Sequence, residues 1–186
     1  MKLCKKIAGE SHRSRRQLEQ LLGLLNFASS LVPLGRLRLR PLIRWMNAHT
    51  STITRDRQVP LGEAFKEVLM IWENPSFLRT PVPMNLPSPT ISLMTDAAQS
   101  GWAGVILPDK IKGLWNLEEK KLSINWKELK AIELSLRHFL NIVKGKSVLV
   151  RTDNTTAVSC ILNQGTLRST PLLLLSKVLL DFSNCI

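Results

Sequence analysis

The sequence predicts an α/β fold with a mixed sheet, preceded by a helical segment, on three observations. Up to about residue 80, apolar residues recur at helical spacing with little enrichment in β-branched side chains. Prolines then crowd a short stretch, at positions 75, 81, 83, 87 and 89. Beyond Pro89, three short β-like runs precede alternating helix and strand patterns, an order typical of a meander followed by a crossover helix.

We therefore divide the 186 residues into a helical segment at residues 1–80, a proline-rich linker at 81–89 and an α/β domain at 90–186. Residues 1–80 carry 14 basic and 6 acidic side chains, and residues 81–186 carry 12 and 8. The formal net charge of +12 favours a polyanionic partner, either nucleic acid or an anionic membrane surface.

Compartment and cofactor chemistry are only partly constrained by composition. Cys4, Cys160 and Cys185 are far apart and have neither zinc nor redox spacing, so a reducing compartment is expected. No signal peptide is recognisable and no apolar stretch is long enough to span a bilayer. We expect an intracellular protein without a membrane partner or a small-molecule cofactor, with nucleus or cytoplasm undecided.

In the helical segment, the first helix is predicted to begin after Ser14 because an apolar stripe follows it. The stripe consists of Leu18, Leu21, Leu22, Leu25 and Ala28. Pro33 and Gly35 are expected to end this helix. Another helix is predicted at Leu61–Glu73, with Pro60 at its N-terminal edge.

Between these helices, residues 36–40 alternate arginine and leucine. As a strand, this piece would present Arg36, Arg38 and Arg40 on one face. As an extended lead-in to a helix at Pro41–Met46, it would expose the same charges. The proline density from Pro75 onward predicts that neither a helix nor a central strand forms there.

The α/β domain opens with three predicted strands joined by tight turns, which form an antiparallel meander. They are Thr90–Ala97, Trp102–Leu107 and Ile111–Leu117. The helix Trp126–Val143 follows, with an apolar stripe at i, i+3 and i+4 spacing.

A fourth strand, Ser147–Thr152, is expected to lie parallel to the first because a helix separates them in sequence. The helices Asn154–Leu162 and Ser169–Phe182 complete the predicted order.

Two acidic residues stand at strand ends. Asp96 lies near the end of the first predicted strand and Asp153 directly follows the fourth. If the crossover makes these strands neighbours, the two carboxylates lie side by side, an arrangement that a divalent cation stabilises. Such oxygen ligands suit Mg²⁺ or Mn²⁺. The alternative is that each aspartate begins a turn or caps the following helix.

The long helix offers two further carboxylates, Glu128 and Glu133, which flank its apolar stripe on opposite sides. Glu133 has Lys130 at i−3 and Arg137 at i+4, the usual arrangement of a solvated ion pair. Glu128 has no basic residue at these offsets. Glu128 is therefore the better candidate for a metal ligand.

Three motifs in this half of the chain resemble those of ribonuclease H domains. Residues 94–98 (MTDAA) with 101–105 (GWAGV) resemble the first-strand motif, residues 125–131 (NWKELKA) the helix motif, and residues 150–158 (VRTDNTTAV) the fourth-strand motif. The third motif, with Gly165 and Arg168-Ser169 after it, is most similar to DIRS-like retrotransposons. Residues 18–26, read with 31–37 and 40–42, resemble the end of the reverse transcriptase of such elements, its thumb and connection.

The resemblance implies an RNase H-like fold in which Asp96, Glu128 and Asp153 hold two Mg²⁺ (or Mn²⁺) ions. One ion would activate water and the other would stabilise the leaving 3′ oxygen, so that the RNA strand of an RNA–DNA hybrid is hydrolysed. The hybrid or duplex would be gripped through phosphates and 2′-hydroxyls. The resemblance also makes Asn154 a candidate contact to nucleic acid.

The sequence departs from the family pattern in two respects. The family continues with a fifth strand and a final helix that carries a fourth carboxylate, so we expect a C-terminally truncated domain in which the fifth strand is missing. No adjacent aspartate pair occurs in the chain, so we expect no polymerase active site.

Binding and catalysis remain separate hypotheses. Arg36, Arg38, Arg40 and Arg44 form either a phosphate-contacting stripe or a solvated face, and the thumb resemblance favours binding. The function expected is that of a retroelement-derived RNase H-like domain that binds an RNA–DNA hybrid and, if the three acids suffice for catalysis, hydrolyses its RNA strand as an RNase H-type endonuclease. The alternatives are a non-catalytic nucleic-acid-binding remnant of a reverse transcriptase and a helical protein whose leucine-rich C-terminal helix docks a partner.

Overall fold

The computed structural model of the protein describes residues 7, 9–80, 82–83 and 87–185. The chain divides into two compact units, residues 1–84 and 85–186, and the division falls inside the predicted linker. Cys4, together with Pro81 and residues 84–86 of that linker, lies outside the described residues.

The first unit is mainly helical, with one small sheet. In chain order its elements are β1 (His12–Ser14), α1 (Arg15–Ala28), α2 (Gly35–Thr50), β2 (Gln58–Pro60), α3 (Glu63–Met70), a 3-10 turn (Ile71–Glu73) and α4 (Pro75–Arg79). Strands β1 and β2 pair antiparallel, a contact between distant parts of the chain that no local pattern predicted.

Helix α1 begins where the sequence predicts, because Ser14 caps it. The Ser14 hydroxyl accepts a hydrogen bond from the Gln17 backbone N–H, and the Gln17 side chain accepts one from the Ser14 N–H, a capping box. The predicted stripe provides Leu18, Leu21 and Leu25 to the core of the first unit.

Residues 36–40 are helical, so both extended conformations considered for them are wrong. Helix α2 begins at Gly35 and contains Pro41, six residues inside it. The helix buries Leu39, Leu42 and Met46, an i, i+3, i+7 stripe whose burial outweighs the local alternation. The helical period places Arg36, Arg40 and Arg44 along one face and Arg38 on another.

The prediction that no helix forms after Pro75 is wrong for α4. Pro75 occupies the first turn of that helix, where its missing N–H would in any case have no helical partner. Asn74 caps the helix by accepting a hydrogen bond from the Ser76 N–H at 2.9 Å.

The second unit is an α/β domain. Its elements are β3 (Ile91–Ala97), β4 (Gly101–Ile106), β5 (Asp109–Leu114), α5 (Leu117–Lys120), α6 (Ile124–His138), α7 (Leu140–Val143), β6 (Val148–Arg151), α8 (Thr155–Leu162) and α9 (Thr170–Ser183). Its core brings Leu93 of β3 together with Leu129 and Ile132 of α6 and Leu179 of α9.

The predicted fold class is confirmed. The sheet has the order β5-β4-β3-β6, in which β3, β4 and β5 form an antiparallel meander and β6 lies parallel to β3 after the crossover through α6. These strand directions are those that the RNase H-like resemblance implied. Within the described ranges, β6 pairs with β3 alone.

Several element boundaries differ from the predictions. The helix predicted at Leu61–Glu73 is the helix α3, Glu63–Met70, followed by the 3-10 turn. Strand β5 begins at Asp109, in residues expected to form a turn. The predicted helix Trp126–Val143 begins at Ile124 and is interrupted at Phe139, beyond which the short helix α7 forms.

Helix α6 lies against one face of the sheet and thereby positions its acidic residues. Leu93, Thr95 and Ala97 of β3 are buried on that face. Gly104 of β4 allows the close approach, since an added Cβ there would lie 2.1 Å from the Ser135 Oγ of α6.

Candidate metal centre

Two of the predicted acids come from neighbouring parallel strands. Asp96 is exposed near the end of β3, where it alternates with the buried Thr95 and Ala97. Asp153 is exposed two residues beyond β6, the parallel neighbour of β3. The crossover therefore places both aspartates at the same edge of the sheet, as the sequence predicts.

The third acid, Glu128, comes from the first half of α6 and is buried, with 4% of its surface exposed. Its carboxylate accepts a hydrogen bond from the Ala97 backbone N–H, next to Asp96. Its Oε2 atom is buried without a hydrogen-bond partner among the described residues. An unpartnered buried carboxylate oxygen is costly unless a cation or proton satisfies it.

The three carboxylates converge. One oxygen from each of Asp96, Glu128 and Asp153 lies within 4.8 Å of the others. Two oxygens on opposite sides of one Mg²⁺ ion are about 4.2 Å apart, so small side-chain rotations would bring all three oxygens onto a shared ion. The all-oxygen donor set and the unpartnered Glu128 Oε2 both fit a hard divalent cation.

The electrostatics of the cluster also favour a bound divalent cation. Burial raises the pKa of Glu128 above its ordinary value of 4.5, and the charges of Asp96 and Asp153 raise it further. The hydrogen bond from the Ala97 N–H opposes these effects without cancelling them. The charged form of Glu128 is therefore less favourable than that of an exposed glutamate, and a bound cation would offset the repulsion.

This pKa shift predicts how Glu128→Gln changes stability. A carboxyl whose pKa is raised on folding stabilises the fold below its unfolded pKa, and that contribution is lost as pH rises through the folded pKa. Without metal at pH 7, Glu128→Gln is therefore expected to unfold at a higher temperature than the parent protein. The difference should disappear below about pH 4.5, where Glu128 is protonated in both states.

Thermal unfolding across pH 3–8 in EDTA measures this effect, and a Mg²⁺ titration adds a second observable. Added Mg²⁺ should raise the unfolding temperature of the parent protein more than that of Glu128→Gln, because binding to the native state stabilises it by mass action. A variant that is less stable at pH 7 and responds equally to Mg²⁺ would contradict the assignment.

The other acid of α6, Glu133, is engaged in ion pairs as predicted, although it is buried rather than solvated. Its carboxylate binds Lys130 Nζ at 2.6 Å and also pairs with Arg137. Burial alone would raise the pKa of Glu133, but the hydrogen bonds and charges of Lys130 and Arg137 lower it overall. Glu133 is thus already neutralised, which leaves Glu128 as the candidate metal ligand from α6.

The alternative that Asp153 caps the following helix is wrong, because Asn154 caps α8. The Asn154 Oδ1 accepts a hydrogen bond from the Ala157 N–H, and its Nδ2 donates one to Asn125 Oδ1, both at 2.9 Å. The side chain predicted to contact nucleic acid is therefore engaged within the protein. Its hydrogen bond to Asn125 connects the segment that carries Asp153 to the N-terminal turns of α6.

Two residues that sequence analysis did not assign to the site hold the turn after Asp96. The fully buried Lys127 Nζ donates to Gln99 Oε1 at 2.7 Å and to the Lys120 carbonyl at 3.0 Å. The Trp115 Nε1 donates to the Ala98 carbonyl at 2.9 Å. No local signal separates Lys127 from the exposed lysines around it, since its burial results from contacts with the β3–β4 turn.

No family model matches the chain, and no curated protein matches it. Among solved structures, a prototype foamy virus protease-reverse transcriptase (CSH mutant) aligns over 95% of this chain and 24% of its own, at 16% identity and a TM-score of 0.38. The foamy viral protein with double-stranded DNA aligns over 98% and 33%, at 16% identity and 0.35. Its complex with an RNA/DNA hybrid aligns over 96% and 25%, at 16% and 0.34.

The chain thus spans between a quarter and a third of the length of these structures. We base the fold assignment on the strand order and register described above, and not on these alignments.

The predicted nucleic-acid-binding arginines belong to the first unit. Arg36 and Arg44 are exposed on α2, whereas Arg38 and Arg40 are half-buried, and each of the four takes part in an interaction within the protein. Their contact with nucleic acid remains a prediction. In the described part of the chain, no helix has the length and apolar character needed to cross a membrane.

Proposed function

We propose that this chain is a divalent-metal-dependent phosphodiesterase of the RNase H type that hydrolyses the RNA strand of an RNA–DNA hybrid. The observation that carries the proposal is the convergence of Asp96, Glu128 and Asp153, with a buried Glu128 oxygen that has no hydrogen-bond partner among the described residues. A DIRS-like retroelement origin and a thumb-like role for the first unit belong to the same proposal and rest on the sequence motifs.

The three acids would have different roles. Glu128, fixed by the Ala97 N–H and buried against the sheet, would be the rigid ligand. Asp96 and Asp153 are exposed and would hold the cations on the side from which a substrate approaches. When bound, Mg²⁺ or Mn²⁺ would supply an activated water and would neutralise charge on the leaving oxygen.

The basic character of the chain supports a nucleic-acid substrate. A net charge of +12 favours polyanion binding that weakens as salt rises. Specificity for RNA would require contacts to 2′-hydroxyls, which distinguish it from DNA.

The test is cleavage of an end-labelled RNA–DNA hybrid by the full chain, with double-stranded DNA and single-stranded RNA as parallel substrates. We expect cleavage of the RNA strand of the hybrid in Mg²⁺ or Mn²⁺, and none in EDTA. Salt-sensitive binding without cleavage would instead support a non-catalytic nucleic-acid-binding module, an alternative that the basic charge also favours. Absence of both binding and cleavage would reject both functions.

A further inference from the structure

The sheet face opposite α6 carries one cation, Lys112, in register with Asp96 of the metal centre. Asp96 of β3 lies opposite Ala103 of β4, which lies opposite Lys112 of β5. Since neighbouring strands are about 4.8 Å apart, the backbones of Asp96 and Lys112 are separated by about 10 Å. Side chains in one such row point to the same face of the sheet.

A cavity of about 550 Å³ connects Asp96 and Lys112, and we call it the trough. Most of the other residues that line it are small, namely Ala98, Ser100, Gly101, Ala103 and Gly113. At Gly101 an added Cβ would lie 2.4 Å from the Gly113 carbonyl oxygen, so the strands tolerate no larger side chain there. Glycines within strands often mark positions where a ligand or another backbone approaches closely.

Lys112 is available to a ligand. Its side chain is exposed and has neither a hydrogen bond nor an ion pair with any residue that the structure describes. One end of the trough therefore offers a free cation, and the other offers a carboxylate of the candidate metal centre. A ligand that fills it would place one anionic group at the metal centre and another at Lys112.

A nucleic-acid strand has this chemistry, since it carries a phosphate at every nucleotide. We propose that the trough binds a phosphodiester flanking the one held at the metal centre, and that Lys112 is the cation that contacts it. This inference rests on the proposed function and adds a substrate contact to the same site.

Lys110 provides a matched control for Lys112. It lies two residues away on the same strand and is also exposed, without a partner in the described part of the chain, but it does not line the trough. Lys110→Gln and Lys112→Gln remove the same charge from the same edge strand. A difference between their affinities for nucleic acid therefore results from a specific contact of Lys112 and not from the change in net charge.

The first experiment measures the affinity of both variants for a labelled RNA–DNA hybrid in Ca²⁺ over a range of salt concentrations. We expect Lys112→Gln to weaken binding about 5–10-fold and to reduce the salt slope by about one, as the loss of one phosphate contact does. Lys110→Gln should change affinity less than about twofold. Equal affinities of the two variants would overturn the proposal.

The second experiment replaces single phosphates of the hybrid by neutral methylphosphonates, one position at a time. At one position, the replacement should weaken binding by the parent protein about as much as Lys112→Gln does, and it should weaken binding by Lys112→Gln no further. Equal losses for both proteins at every position would reject the contact.

A cleavage assay, combined with the affinity of Lys112→Gln, distinguishes failure of this proposal from failure of the proposed function. Mg²⁺-dependent cleavage combined with unaltered affinity of Lys112→Gln would reject the trough and leave the enzyme intact. Binding that depends on Lys112, in a protein that does not cleave, would support the trough and reject the enzyme. A parent protein that binds no hybrid would overturn both.

Discussion

Asp96→Asn is expected to lower Mg²⁺-dependent cleavage of an RNA–DNA hybrid by about 10²–10³-fold. Asparagine keeps the shape of the side chain but removes one of three charges that converge within 4.8 Å. Glu128 and Asp153 would remain, a weaker and less symmetric set of ligands for a divalent cation. The fold should be retained because Asp96 is exposed and the β3 core residues are unchanged.

Asp109→Asn is the matched control for this substitution. Asp109 lies on β5 of the same sheet, is exposed and is not part of the acidic cluster. We expect cleavage by Asp109→Asn within about twofold of the parent protein, since an isolated surface charge contributes little. The measurement is the cleavage rate of the parent protein and of both variants, all purified in the same way. Asp96→Asn that cleaves as fast as Asp109→Asn would reject the metal centre.

A second measurement does not depend on turnover. Isothermal titration of Mg²⁺ or Mn²⁺ into each protein should give weaker binding for Asp96→Asn than for Asp109→Asn. If the parent binds metal but neither binds nor cleaves nucleic acid, the acidic cluster is a metal site and the proposed substrate is wrong.

Gly104→Ala is expected to destabilise the second unit by about 1–3 kcal/mol. Its new Cβ would lie 2.1 Å from the Oγ and 2.7 Å from the Cβ of Ser135, distances that real contacts do not reach. Because Ser135 is on α6 and is buried, either the helix or the strand must move. The metal centre should also be affected, since α6 carries Glu128. We therefore expect weaker Mg²⁺ binding as well.

The control is the same substitution at Gly23, in helix α1. An added Cβ there would meet no atom within 4 Å, and Gly23→Ala is expected to stabilise the protein by about 0.5–1 kcal/mol because alanine favours the helix. Urea unfolding should show a lower free energy of unfolding for Gly104→Ala and a higher one for Gly23→Ala than for the parent protein. The double variant Gly104→Ala with Ser135→Gly should be more stable than the sum of the two single changes predicts. Gly104→Ala with parental stability would show that α6 is not packed as closely as described.

Local patterns predicted much of the second unit. The strand meander, the long helix and the parallel fourth strand follow from alternation, helical periodicity and the direction rule for crossovers. The same reasoning placed Asp96 and Asp153 at one edge of the sheet. The ion-pair spacing around Glu133 already distinguishes it from Glu128 in the sequence, and its ion pair with Lys130 agrees with that spacing.

The sequence-based predictions were wrong where contacts between residues far apart in the chain outweigh a local pattern. Residues 36–40 alternate as a strand does, yet they are helical because Leu39, Leu42 and Met46 pack into a core built by other helices. The β1–β2 pair joins segments that carry no mutual signal in the sequence. The sequence also did not reveal that the Asn154 side chain caps α8 and bonds to Asn125, and its contact with nucleic acid stays a prediction.

By itself, the sequence predicted the order of strands and helices in the second unit from its periods of two and 3.6 residues. Its resemblance to ribonuclease H motifs added that Asp96, Glu128 and Asp153 form one set. Only the tertiary structure decided how closely these acids approach and that Glu128 Oε2 has no hydrogen-bond partner within the described ranges. It also decided that Lys112 faces Asp96 across a trough of small residues. These features depend on strand register and on the approach of α6 at Gly104, which are set by packing between residues far apart in the chain.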